Sequence, residues 1–197
     1  REVLTELGIH FTEEIGEAAF YGPKLDVNVK PAVGNEYTLS TCQLDFCLPE
    51  RFHLKYADQN GEEQTPVVLH RAILGSLDRF MAYLIEETMG AFPAWLAPVQ
   101  VKVLPVTDRA AEYANEISAA LDAKGFRMEV DERNEKIGKK IREATLEKVP
   151  YMLVVGDRDM ENKTVSVRTR SGEDLGAMSL EAFAAKLGED VATKAIH

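Results

Sequence analysis

The hydrophobic pattern of this chain changes period at Pro98, and no other feature limits the possible folds so strongly. Before it the apolar residues alternate. Leu25, Val27 and Val29 fall on one face and Asp26, Asn28 and Lys30 on the other, the period of a half-buried antiparallel strand. Residues 31–35 make a turn and 37–46 read as the returning strand. Lys55–Tyr56 and Thr65–Leu69 flank Asp58-Gln59-Asn60-Gly61, a hairpin signal in which Gly61 is free to take positive φ. Val67–Leu69 is a β-branched-rich run that reads as a buried strand. Gly75 and Ser76 break it, and Leu77, Phe80, Met81, Leu84 and Ile85 then recur at spacings of three and four. That spacing predicts a helix over 76–89 with Ser76 as N-cap. Beyond Pro98 strands and helices alternate: strand 99–106, helix 109–124, strand 126–130, helix 136–148, strands 151–155 and 164–169, and a helix over 179–187. Such an order predicts a small α/β domain with a mixed, mostly parallel sheet. The expectation is therefore α/β (α+β): residues 1–97 as an antiparallel sheet with helices, and 98–197 as the second domain.

No apolar run approaches the roughly 20 residues that cross a bilayer, so a cytoplasmic protein without a membrane role is expected. The chain opens at Arg1 without methionine and nothing near it resembles a signal peptide, which is read as a piece of a longer polypeptide. Cys42 and Cys47 stand five apart in one apparent strand, should face opposite sides, and read as reduced core thiols. The net charge of −10 argues against a general nucleic-acid binder. It is unevenly spread: residues 1–100 carry −8 and 101–197 only −2. Residues 124–148 hold 8 basic and 6 acidic side chains, enough for a local positive face.

Three groups of residues could carry chemistry. In Pro66–Met81, strand, small-residue turn and helix start follow in the order that can hold an anion or nucleotide. Arg79 in that first turn is disfavoured by the helix dipole, and is either functional or a surface arginine paired with Asp78 or Glu50. Cys42, Cys47, His10, His53 and His70 could ligate zinc, but no two stand at a ligand spacing; by spacing alone His70 is an ordinary strand histidine. Thr38, Thr41 and Gln43 likewise read as solvent-face strand residues. In DERNEKIGKKIREA, Ile137 and Ile141 share one helical face, with Lys136, Lys139, Lys140 and Arg142 mostly around the other, as in a solvated helix. VRTR adds Arg168 and Arg170 on a strand face opposite Val165 and Val167.

VVLHRAILGSLDRF resembles the third signature motif of the class II aminoacyl-tRNA synthetases, in the form of the threonyl-tRNA synthetase family. FYGPK and STCQLDF resemble segments lining that family's active site. DERNEKIGKKIREA, YMLVVGDRD and VRTR resemble the anticodon-binding domain shared by the threonyl, prolyl, histidyl and glycyl synthetases. The resemblance covers essentially the whole chain. It implies that Arg79 stacks on the adenine of ATP and that Lys24 meets the activated phosphate, the two catalytic assignments. Tyr21 and Gln43 are implied to approach threonine; Thr38, Thr41 and Ser76 lie at the ATP or adenylate. His70 is implied to be one of three ligands of a catalytic-site zinc whose other two, a cysteine and a histidine, precede the sequence in hand, so the site is incomplete here. Asn134, Arg142, Asp159 and Arg168 are implied to contact the anticodon. ATP with Mg, threonine and threonine tRNA are the implied substrates and partners of a homodimeric parent enzyme. The family often has Trp-Gln where this chain has Tyr37-Thr38, which weakens the match at Thr38. Neither the class's first motif nor its second is found, so the chain alone is expected to be inactive. The rival reading is a noncatalytic, synthetase-like RNA-binding or regulatory module. Such a module would tend to lose Lys24 and Arg79, and both are present.

Overall fold

A computed structural model describes residues 1–196. They form two compact units that divide between Glu86 and Glu87.

The first unit begins with a short helix α1 (Glu2–Glu6) and is built on a three-stranded antiparallel sheet. Its strands are β1 (Lys24–Val29), β2 (Tyr37–Asp45) and β5 (Val68–Ala72), with β2 central. One helical turn, α2 (Cys47–Arg51), follows β2, and β3 (Tyr56–Ala57) pairs with β4 (Glu63–Gln64) in the expected hairpin. Helix α3 (Leu77–Thr88) closes the unit; Ser76 stands just before it and its carbonyl accepts from the Phe80 N–H. The run read as a buried strand is in fact open. Val67 is 51 % and Leu69 56 % exposed, because among the described residues nothing packs on that side of β5. Cys42 lies in β2 but Cys47 opens α2, so strand alternation does not relate them; both are free and half-buried.

The second unit has a five-stranded mixed sheet in the order β10-β9-β8-β6-β7. The strands are β6 (Val101–Pro105), β7 (Met128–Val130), β8 (Tyr151–Val155), β9 (Thr164–Thr169) and β10 (Asp174–Ser179). β7, β6 and β8 are parallel neighbours, whereas β8–β9 and β9–β10 pair antiparallel, so parallel pairing is confined to one half. Helices α4 (Ala111–Asp122) and α7 (Leu180–Ala192) cover one face. There Tyr113, Ala114, Ile117 and Leu121, with Phe183, Ala184 and Leu187, bury Val101, Val103, Leu153, Val155, Val165 and Val167. Helix α5 (Ile137–Leu146) lies on the opposite face, where Ala144 meets Leu104 and Met152. Helix α6 (Asp157–Asn162) links β8 to β9. Among the described residues no helix is long and apolar enough to cross a membrane.

The compact division falls ahead of Pro98 because residues 89–97 are held by the second unit. Lys148 donates to the Met89 carbonyl, Arg170 to that of Phe92, and Gln100 to that of Ala94 at 2.8 Å. Arg127 donates to the carbonyls of Trp95 (3.2 Å) and Ala97 (2.8 Å). Ala94 itself is part of the second unit's core.

Candidate functional site

Strand register gathers the first unit's polar side chains on one face. Lys24 pairs with Gln43 and Gln43 with His70, a single row across all three strands. Directly opposed residues point the same way from a pleated sheet. The next row is Asp26, Thr41 and Ala72. The intervening row, Leu25, Cys42 and Arg71, faces the other side. A bulge in β2 skips Leu39, so Asn28 pairs with Thr38 and the Thr38 hydroxyl donates to Asn28 Oδ1 at 2.9 Å. The extra residue thereby turns Thr38 onto the polar face.

Two close backbone approaches fix what surrounds these rows. Gly22 lies against β2 so tightly that a Cβ there would fall 2.3 Å from the Leu44 carbonyl oxygen. On either side of it, Leu44 N–H donates to Pro23 O and Phe46 N–H to Tyr21 O. Tyr21 is thus carried over the row, its Oη donating to Gln43 Oε1 at 3.1 Å and its ring edge-on to His70 with centroids 6.4 Å apart. Gly75, at φ +60, approaches the bulge in the same way: a Cβ there would meet the Leu39 oxygen at 2.4 Å. This seats Ser76 and the start of α3, with Arg79 in its first turn, against β2. Arg79 is exposed and, among the described residues, carries no ion pair to Asp78 or Glu50.

Two aspartates that sequence reasoning passed over orient the face. Asp26 takes Lys24 Nζ on Oδ2 at 2.7 Å and the Thr41 hydroxyl on Oδ1 at 2.9 Å. The Lys24 bond, first of all, holds its carboxyl below the usual carboxylate range and in turn raises the lysine. Asp45 is buried; the Leu48 N–H above all, then His70 and the Cys47 N–H, lower its carboxyl. Its Oδ2 lies 2.8 Å from His70 Nε2. Both acids were legible as strand partners two residues from Lys24 and Gln43. Among the described residues no three His, Cys, Asp or Glu side chains gather as a metal site. His70 and Asp45 are a pair.

In the second unit the implied anticodon residues lie toward the face that α5 covers. Val165 and Val167 point into the other layer, which leaves Thr164, Ser166 and Arg168 on the α5 side of β9. Asp159 joins them there through bonds to Thr164 Oγ1 (3.3 Å) and Ser166 Oγ (3.0 Å), while its second oxygen accepts from Gly156 N–H at 3.0 Å. Asp159 therefore caps α6. Arg168 reaches Asp174 at 3.4 Å. Arg142 is exposed on α5. Asn134 stands exposed in a stapled loop: Arg133 bridges Asp131 (2.6 Å) and Glu143 (2.7 Å), and Glu135 pairs with Lys139 at 2.5 Å. Two residues depart from the sequence reading. Lys140 is buried, since it sits with Ile137, Ile141 and Ala144 on one helical stripe, and its ammonium spans the carbonyls of Pro105 (3.1 Å) and Asp131 (2.9 Å). Arg170 lies beyond the end of β9 and donates to the Phe92 carbonyl, so it does not share a strand face with Arg168.

Comparison with known proteins gives a match for each unit. The model of the tRNA synthetase class II core domain (G, H, P, S and T) matches residues 1–88. The anticodon binding domain model matches residues 100–190. A threonine–tRNA ligase of Geobacillus kaustophilus is 54% identical over 195 residues, 98% of this chain and 30% of that protein. One from Stenotrophomonas maltophilia is 53% identical over 187 residues, 95% of this chain and again 30% of the relative. The crystal structure of the RNA binding domain of threonyl-tRNA synthetase from Cryptosporidium parvum superposes with a TM-score of 0.85 at 36% identity, covering 95% of this chain and 48% of that one. The chain thus spans 30% of the length of the curated relatives it matches.

Proposed function

This chain belongs to the class II aminoacyl-tRNA synthetases, within the threonyl-tRNA synthetase family, and on that premise we propose that it is the part of an enzyme that activates threonine with ATP, passes it to its tRNA, and reads the anticodon. The observation that carries the proposal is the row Lys24–Gln43–His70 with Tyr21 bonded over it. It sets a cation, an amide, a phenol and an imidazole on one sheet face. Lys24, held toward the face by Asp26, supplies positive charge where the α-phosphoryl group gathers negative charge during attack by the threonine carboxylate. The Tyr21 hydroxyl occupies one lone pair of the Gln43 oxygen, which orients the amide so that its N–H₂ donates toward the amino acid. Arg79, at the start of a helix fixed by the Gly75–Leu39 approach, lays a planar guanidinium on the adenine. Thr38, Thr41 and Ser76 border the nucleotide.

The residues present fit one corner of a zinc site. His70 already has the carboxylate partner that ligating histidines use, and two further donors must come from other polypeptide. When bound, zinc would engage the amino and hydroxyl groups of threonine, and a site that binds a hydroxyl rejects valine by leaving polar groups unpaired. In the second unit Asn134, Arg142, Asp159 and Arg168 recognise splayed anticodon bases, with Asp159 contributing through the α6 cap it forms. The parent enzyme is a cytoplasmic homodimer using ATP with Mg. Threonine-dependent ATP–pyrophosphate exchange tests the reading. The enzyme extended by the preceding synthetase sequence should exchange, and Lys24→Ala should cut its rate by about 100-fold or more, the scale of a lost transition-state donor. The 197-residue chain should not exchange. Full activity in the Lys24 variant would overturn the assignment.

A further inference from the structure

Asp45 and His70 are unequal partners: the carboxylate side chain is 1 % exposed and the imidazole 45 %. Asp45 Oδ1 accepts the backbone N–H groups of Cys47 and Leu48 at 2.9 Å each, which leaves Oδ2 to meet His70 Nε2 at 2.8 Å. An ionised carboxylate only accepts hydrogen bonds. Nε2 must therefore carry the proton, and the neutral ring keeps its lone pair on Nδ1. Metal-bound histidines divide their nitrogens in this manner, one on the ion and the other donating to a carboxylate.

We infer that Asp45 is a positioning residue that locks His70 in the Nε2–H form and so makes Nδ1 the zinc-ligating atom; the inference rests on the metal reading above. The start of α2 makes the lock directional. Cys47 and Leu48 present two donors that only an oxygen can accept, so whichever residue stands at position 45 must turn an oxygen toward them. In Asp45→Asn that oxygen is the amide carbonyl, and the amide nitrogen takes the place of Oδ2. It donates to Nε2, the ring proton moves to Nδ1, and the lone pair that would hold the metal is gone. One atom is exchanged, shape and helix start are kept, and the imidazole is inverted.

Two measurements test this. Long-range ¹H–¹⁵N correlation on histidine-labelled protein should show His70 as Nε2–H in the unsubstituted chain and Nδ1–H in Asp45→Asn. In the enzyme carrying the preceding synthetase sequence, zinc titration against a chelator should show the Asn variant binding at least about 10-fold more weakly, with an unchanged melting curve. An Nδ1–H ring or a tautomer mixture in the unsubstituted chain overturns the inference without need of any variant. An Asn variant that inverts its ring yet holds zinc as before overturns ligation through Nδ1. Zinc retained undiminished by His70→Ala refutes the metal reading instead, and leaves the tautomer result intact.

Discussion

Asp26, Asp45, Asp131 and Asp159 each commit both carboxylate oxygens to neighbours, and each holds a residue on which the proposed chemistry depends. Asp26 aims Lys24, Asp45 orients His70, Asp131 pins the loop bearing Asn134, and Asp159 ties α6 to β9. The Asp131 carboxyl lies below the usual carboxylate range, first through hydrogen bonds from the Arg133 side chain. A carboxyl lowered on folding adds stability that is present above its unfolded value, near pH 4, and is lost as the pH falls through its folded value. Asp131→Asn should therefore destabilise the protein at pH 7, and the gap to the unsubstituted chain should narrow by pH 3. Urea unfolding at both values checks this; a gap independent of pH would refute it. Such partnerships were only half legible in the sequence. Alternation places Asp26 beside Lys24 and Asp45 beside Gln43, but which neighbour takes each oxygen depends on register and on the fold of residues far along the chain.

Elements with a long period were readable, and those set by a partner were not. The amphipathic spacing of Leu77–Ile85 and the alternation of Leu25–Val29 gave α3 and β1 directly. β10 escaped because Asp-Leu-Gly-Ala-Met-Ser has no β-branched residue and is recruited by β9. α6 has only six residues, too few to show a helical period. The β2 bulge is a property of the β1–β2 pairing, so no single strand announces it. Gly75 reads it nonetheless, since the turn ahead of α3 presses on the bulged Leu39 carbonyl. Gly75→Ala combines a positive φ with a Cβ inside that contact. It should destabilise the first unit by about 1–3 kcal/mol and weaken ATP binding through displacement of Arg79. Equilibrium unfolding with nucleotide titration measures both; an Ala variant matching the parent in each would remove the bulge from the account of the site.

At the scale of the molecule the two units differ in how their apolar surface is used. The fully buried hydrophobic residues lie from Ala94 onward, whereas Val27, Phe46, Val67, Leu69 and Leu77 of the first unit are more than half exposed. A surface of that size marks a face that meets other polypeptide. It accords with a chain spanning 30% of its relatives' length. The proposed functions divide along the same line. Arg142→Ala in the extended enzyme should weaken binding of threonine tRNA by about 10-fold while threonine-dependent exchange stays within about twofold, since one polar contact to a base carries roughly 1–3 kcal/mol. Equal losses in both assays would refute the division. The grip of Lys148, Gln100, Arg127 and Arg170 on residues 89–97 also decides where this polypeptide can be cut. A piece beginning at Pro98 would throw away the acceptors of three cations and the methyl group that Ala94 lends to the interior. One beginning at Glu87 keeps them, and is the version to carry into binding studies of the RNA-reading half.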